Sequence, residues 1–397
     1  MIFVVPRHVQ PSAFQSSVRF IGRFPLKSDI NITAAGKTKI AVGQGGRSSR
    51  TGYTATVFGS TGFLGRLLVS KLAKHGTITV SPYRNETAKK QLKVNGDLGV
   101  VNFVELDLRN LESIRNSVAH SDIVFNLIGT EQSTKNFSIE DVNIEGARRI
   151  AQISKEAGVA RFIHVSSYNA DPASSSDFYA SKGVGEQVVR EIYPDATIVR
   201  PSPMYARNSP FLNQLLARRT FGDNILFKNQ VFPTHGIQVA AALEKIGFDD
   251  STRGQTYELH GTEEYSKREI REMIKEATHL GQNAWVPAAV GFYLPAPEIV
   301  VKAFALLRQY ISSQPRVSLD SVNRVNTRQV FDPNAKTFAD LGMVPDEFAD
   351  LFYTYIKPHI TASSQVKNRT VYAREDVERL RDYVNTPSDS FNLFNLK

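Results

Sequence analysis

Short runs of β-branched and aromatic residues at 54–58, 77–81, 100–106, 122–128, 161–165 and 196–200 alternate with stretches whose apolar positions recur at helical spacing. Leu64, Leu67, Leu68 and Leu72 share one face of the first such stretch, and helices are expected at 139–158 and 178–192. Strand and helix taking turns in this way predict a doubly wound, Rossmann-like α/β fold, a parallel sheet covered on both faces. Beyond Pro201 the rhythm breaks, and 202–360 reads as a smaller mixed unit with a strand at 255–259 and a helix at 267–278.

The first strand runs into Gly59, Gly62 and Gly65, spaced three apart, and the helix follows at once. That context gives the glycines separate tasks: a turn, a close approach of backbone to a pyrophosphate, and tight packing of helix on strand. The helix N-terminus adds free N–H groups and the positive end of its dipole. The candidate cofactor cradle is therefore Gly59, Ser60, Thr61, Gly62, Phe63, Leu64, Gly65 and Arg66. Other candidates stand at the carboxyl ends of later strands, where ligands bind in open α/β sheets: Arg84, Asp107, Leu108, Ile128, Gly129, Ser166 and Pro201. Asp107 suits either an adenine amino group or the cap of a helix starting near Asn110.

The end of the second strand bears on cofactor choice. An NAD site usually carries an acid there for the ribose 2′-hydroxyl, whereas this chain has Ser81, Pro82, Tyr83 and Arg84. Arg84 and Arg66 suit a 2′-phosphate, so NADPH is expected over NAD, with Glu86 as the nearby acid that keeps NAD open.

Composition narrows the remaining chemistry. The 397-residue chain contains no cysteine, which excludes disulfides, thiol nucleophiles and cysteine-ligated metal, and no metal site is expected. Its net charge is +9, but residues 1–50 carry eight Lys or Arg against the single acid Asp29. The basicity belongs to this leader, so nucleic-acid binding by the rest is not expected. Phe14, Val18 and Ile21 fall on one helical face with Arg19 and Arg23 on the other, the pattern of a mitochondrial presequence, with 36–52 as linker. No run of 18 uncharged apolar residues without proline occurs. The apolar but proline-broken 284–311 segment is a candidate surface for lipid or protein, or equally a helix buried in its own domain, and 361–397, ending in Phe391-Asn-Leu-Phe-Asn-Leu396, is expected to dock. The domains expected are thus 1–50, 51–201, 202–360 and 361–397.

Asp107-Leu108, Asn143 in Asp-Val-Asn-Ile-Glu-Gly, Val165-Ser-Ser167 and Arg200-Pro201 resemble the extended and atypical short-chain dehydrogenase/reductases. Within them, Gly62-Phe-Leu-Gly-Arg66, Pro82-Tyr-Arg84, Asn126-Leu-Ile-Gly129, Thr134-Lys-Asn-Phe137, Ser154-Lys-Glu-Ala-Gly-Val159, Phe162-Ile-His-Val-Ser166 and Lys182-Gly-Val-Gly-Glu186 look like the nucleotide-binding accessory subunits of mitochondrial respiratory complex I. The resemblance covers about residues 53–355. It implies NADPH held without turnover, other complex I subunits as partners, a role in assembly or stability, and a peripheral position on the matrix side of the inner membrane.

Active members of that larger family use a tyrosine four residues before a lysine, plus a serine at the end of the fifth strand. Lys182 matches the lysine and Ser167 the serine, but Phe178 occupies the tyrosine position and has no proton to give. Tyr179 is adjacent, turned by about 100° around the helix. The alternative reading is an active NADPH-dependent reductase or epimerase that uses Tyr179 or Tyr168.

Overall fold

The computed structural model describes residues 30–32, 38–42, 49–216, 230–279 and 318–356, with 302, 303, 306 and 378 beside them. Seven strands form one sheet: β1 (Thr54–Phe58), β2 (Ile78–Tyr83), β3 (Val101–Glu105), β4 (Ile123–Asn126), β5 (Arg161–Val165), β6 (Thr197–Pro201) and β7 (Thr256–Leu259). Their order is 3-2-1-4-5-6-7 and every neighbouring pair is parallel. The order reverses between β1 and β4, which opens a crevice at their carboxyl ends.

Burial on both faces explains the near-continuous apolar runs. All of β4 and β5 is buried, as are Ala55, Val57 and Phe58 of β1. On one face α1 (Phe63–Lys74) packs with α5 (Gly236–Phe248), joining Leu64, Leu68 and Leu72 to Val239, Leu243 and Ile246. On the other, α2 (Leu111–Val118), α3 (Gly146–Glu156) and α4 (Asp177–Ile192) cover β4 to β6 with Ile114, Ile150 and Val189. A π-helical turn, Asp141–Glu145, leads into α3 inside the span expected to be helical throughout.

Two expectations need correction. The strand expected at 255–259 in the smaller unit is instead β7, paired with β6 from Thr256–Ile198 to Leu259–Pro201. The chain also returns to the sheet through α5, Phe338 and Leu341. A smaller separate core remains, formed by Tyr205, Leu212, Tyr265, Ile270, Met273, Phe348 and Phe352.

The second correction concerns the expected linker. Thr38–Ile40 is a strand paired with Ile30–Ile32, and Val42 bridges Arg50. Lys39 Nζ lies 2.7 Å from Asp122 Oδ2, which also accepts the Thr54 N–H. This arm is therefore pinned to the amino edge of β1 and β4. Residues 1–29 of the expected presequence, nearly all of 284–311 and all but one residue of 361–397 lie outside the described residues. Among the described residues no helix is long and apolar enough to cross a membrane.

Candidate functional site

The parallel register brings the sequence-selected residues to one edge. Gly59 leaves β1 at φ +79°, and a β-carbon there would come 3.1 Å from the Leu127 carbonyl. Gly62 caps α1 without any side-chain hydrogen bond, and its own N–H donates to Gly59 O at 3.0 Å. The first turn of α1 therefore keeps N–H groups directed at the crevice. Gly65 sets the closest approach, since a β-carbon would stand 2.2 Å from Gly59 O. Ser60 is buried and donates to Pro82 O, tying the turn to β2, while Leu64 is core and Thr61 and Phe63 are partly exposed.

At the end of β2, Arg84 is exposed and Arg66 donates to Gln91. Glu86 is paired at 2.7 Å with Lys89, whose ammonium lies 4.1 Å from the centre of the Tyr83 ring. The nearby acid is thus matched by a cation of its own. Asp107 is exposed and accepts from the Arg109 N–H, while Asn110 caps α2 by accepting from Glu112 and Ser113. Capping is therefore Asn110's task. Leu108 is partly buried, and its carbonyl receives Arg149.

Lys182 reaches the carboxyl ends of β4 and β5. It is buried, donates to Val165 O at 3.4 Å and sits so close to Gly129 that a β-carbon there would be 2.6 Å from its Nζ. Burial, only partly opposed by Glu186 and Glu131, lowers its pKa to about 8. The N–H of Ile128 donates to Asn126 Oδ1, and Asn126 in turn lies 3.2 Å from His164 Nδ1. His164 is pushed down to about 3, by burial first and Lys182 second. Ser166 Oγ and His164 Nε2 are buried without a hydrogen-bond partner among the described residues. Pro201 ends β6 and its carbonyl accepts the Tyr168 N–H. A bare helix N-terminus, a cradle that β-carbons would fill and an unpartnered buried hydroxyl just past the end of β5 fit a dinucleotide.

Phe178 stands where the family resemblance leads one to expect a tyrosine. Phe178 is half-buried on the Lys182 face of α4, one turn earlier. Tyr179 is buried against Tyr168, ring centroids 5.5 Å apart, and burial followed by Tyr168 raises its phenol above the ordinary range. A phenol so placed is a poor acid or base near neutral pH.

Three features escape a sequence reading because their partners are far apart in the chain. Asn143, in the π-helical turn, accepts from the Thr130 N–H and donates to Thr130 O and Ser181 Oγ. Arg200 pairs with Glu186 at 2.7 Å and Glu258 at 3.2 Å beneath α4. Arg324 meets Glu131 and lies over the Phe178 ring. Asn143 and Arg200 stood in motifs of the family resemblance, but their partners did not, and Arg324 carried no mark.

Residues 55–221 match the NAD dependent epimerase/dehydratase family. The solved structure of gox2253 covers 77% of this chain and 98% of its own with a TM-score of 0.54 at 17% identity, a likeness of fold. The mitochondrial NADH-ubiquinone oxidoreductase 40 kDa subunit of Neurospora crassa is 44% identical over 354 residues, 89% of this chain and 90% of its own. The mitochondrial NADH dehydrogenase [ubiquinone] 1 alpha subcomplex subunit 9 of Mus musculus is 38% identical over 76% of this chain and 79% of its own. With its Rossmann-like sheet and this extent of identity, the chain belongs to the family of these complex I subunits.

Proposed function

We propose that this chain is a non-catalytic accessory subunit of mitochondrial complex I that holds NADPH as a structural ligand and supports assembly or stability of the complex. The observation that carries this reading is Phe178 beside an otherwise intact cradle, with Lys182 retained and the proton donor replaced by a ring that has none. NADPH is a hydride donor wherever a partner group can accept the hydride. Here the chain's own residues bind and orient it: the α1 N-terminus takes the pyrophosphate, Lys182 the ribose beside the nicotinamide, and Arg66 and Arg84 the 2′-phosphate. Glu86, engaged by Lys89, competes little for that end.

A ligand bound by the folded state alone stabilises it by about 4 kcal/mol at a thousandfold excess over Kd. A cofactor can thus act as a staple without reacting. The names of the relatives support the partner and the compartment, and a peripheral position on the matrix side follows as part of the same proposal. The 202–360 region and the 361–397 tail are proposed as the docking parts. Against the rival reading of an active reductase stands Tyr179, buried and facing Tyr168.

The test is to denature the protein purified from mitochondria, identify the released nucleotide and assay turnover before and after Phe178→Tyr. Stoichiometric NADPH, no turnover and co-migration with complex I on native gels are expected. Turnover with Phe178 in place, or a free monomeric chain absent from the complex, would overturn the proposal.

A further inference from the structure

Leu319–Asn326 is a helix opened by a capping box, in which Ser318 Oγ accepts the Ser321 N–H and Ser321 Oγ accepts the Ser318 N–H. It is fastened to the Rossmann-like domain at both ends. Ser176 Oγ donates to Asp320 Oδ1 at 2.7 Å, just where α4 begins. Past the helix, Asn169, at φ +56°, donates to Arg328 O at 2.7 Å and accepts the Val330 N–H at 2.8 Å. Gln329 then donates to Ser202 and accepts the Phe232 N–H.

Between these fastenings stands Arg324. Its Nη1 is 3.0 Å from Glu131 Oε2, its Nε is 3.2 Å from Asp320 Oδ2, and its guanidinium carbon is 4.9 Å from the centre of the Phe178 ring. Phe178 and Lys182 share one face of α4, and Glu131 lies two residues past Gly129, which Lys182 touches. The guanidinium therefore covers the Phe178 ring, and through Glu131 it is tied to the loop that follows Gly129. Held by two carboxylates and an aromatic face, it is oriented and largely buried.

We propose that this helix is a built-in plug for the substrate side of the cleft, with Arg324 occupying the place beside position 178 that a substrate would need. The proposal rests on the non-catalytic reading of the cleft and deepens it. Chemistry is then blocked twice, by the missing phenol and by the occupied approach. Restoring Phe178→Tyr alone is expected to leave turnover absent.

The chain's lack of cysteine supplies the test. In the full-length protein, Phe178→Cys introduces a single thiol under Arg324, and Val330→Cys, at a side chain 69% exposed, introduces a control thiol. Labelling with a maleimide should be at least about tenfold slower at 178 than at 330, because a shielded thiol reacts through its opened state. Adding Arg324→Ala to Phe178→Cys should speed labelling roughly tenfold and leave the control rate unchanged. Glu131→Gln, on an exposed side chain that the core does not need, should act in the same direction and guards against an Arg324 variant that fails to fold. Equal rates at 178 and 330, or a slow rate at 178 that neither change alters, would overturn the plug. Labelling is run on protein stripped of nucleotide, so shielding of the thiol by NADPH does not enter, and absence of released NADPH would count against the proposed function alone.

Discussion

Gly65 tolerates no side chain: a β-carbon there would stand 2.2 Å from the Gly59 carbonyl oxygen and 2.7 Å from Ser60 Cα, both fixed backbone. Gly65→Ala should lower the unfolding free energy by about 2 kcal/mol, despite the better helix propensity of alanine, and reduce nucleotide content. Urea titration with nucleotide assay checks both. His164 makes a second prediction through protons. Its folded-state pKa, about 3, lies below the ordinary 6.5, so between those values the unfolded chain binds a proton that the folded one refuses. Stability is then fully present above pH 6.5 and falls as pH drops toward 3. From pH 6.5 to 4.5 the loss from this residue should be about 2–3 kcal/mol. The difference between wild type and His164→Phe, measured by urea unfolding at the two pH values, isolates it. An unchanged difference would remove His164 from the acid response.

Among the elements, α4 carries the most constraints. Asn143 fixes it to the loop after β4, and Arg200 holds its underside through Glu186. Arg200→Ala would leave Glu186 and Glu258, both buried, without their cation, and should cost roughly 3–5 kcal/mol. Thermal unfolding reads this directly, and the coupling with Glu186→Gln should be large because the two act as a unit. These contacts also mark how far the sequence could be read. The six strands up to residue 201 and the glycine turn were legible because each is written in neighbouring residues, by apolar runs and fixed spacing. Phe178, four residues before Lys182, was likewise written in neighbouring residues. β7 was legible as a strand but not as part of this sheet, since four residues after a broken rhythm carry no mark of which sheet they join. Nor was the place of Arg324 legible, whose partner Glu131 is 193 residues away and whose meaning depends on the fold being complete.

For the molecule as a whole, the two edges of the sheet have different owners. The carboxyl edge holds the candidate cofactor site, and the amino edge is covered by the arm that carries Lys39. Asp122 is 4% exposed, so Lys39→Ala strands a buried carboxylate with only the Thr54 N–H, and should cost about 2 kcal/mol. Calorimetry of Lys39→Ala against Asp122→Asn checks this, and additive effects would show that the pair is not coupled.

If the N-terminal segment is trimmed, as the presequence reading expects, that arm limits where the cut can fall. A protease that trimmed it at any bond from Lys39 to Arg50 would cut away Lys39 and its contact with Asp122. Trimming upstream of Ile30 would spare both, together with the strand pair that presents the lysine. A chain trimmed there would thus keep the lysine that closes the amino edge of its sheet.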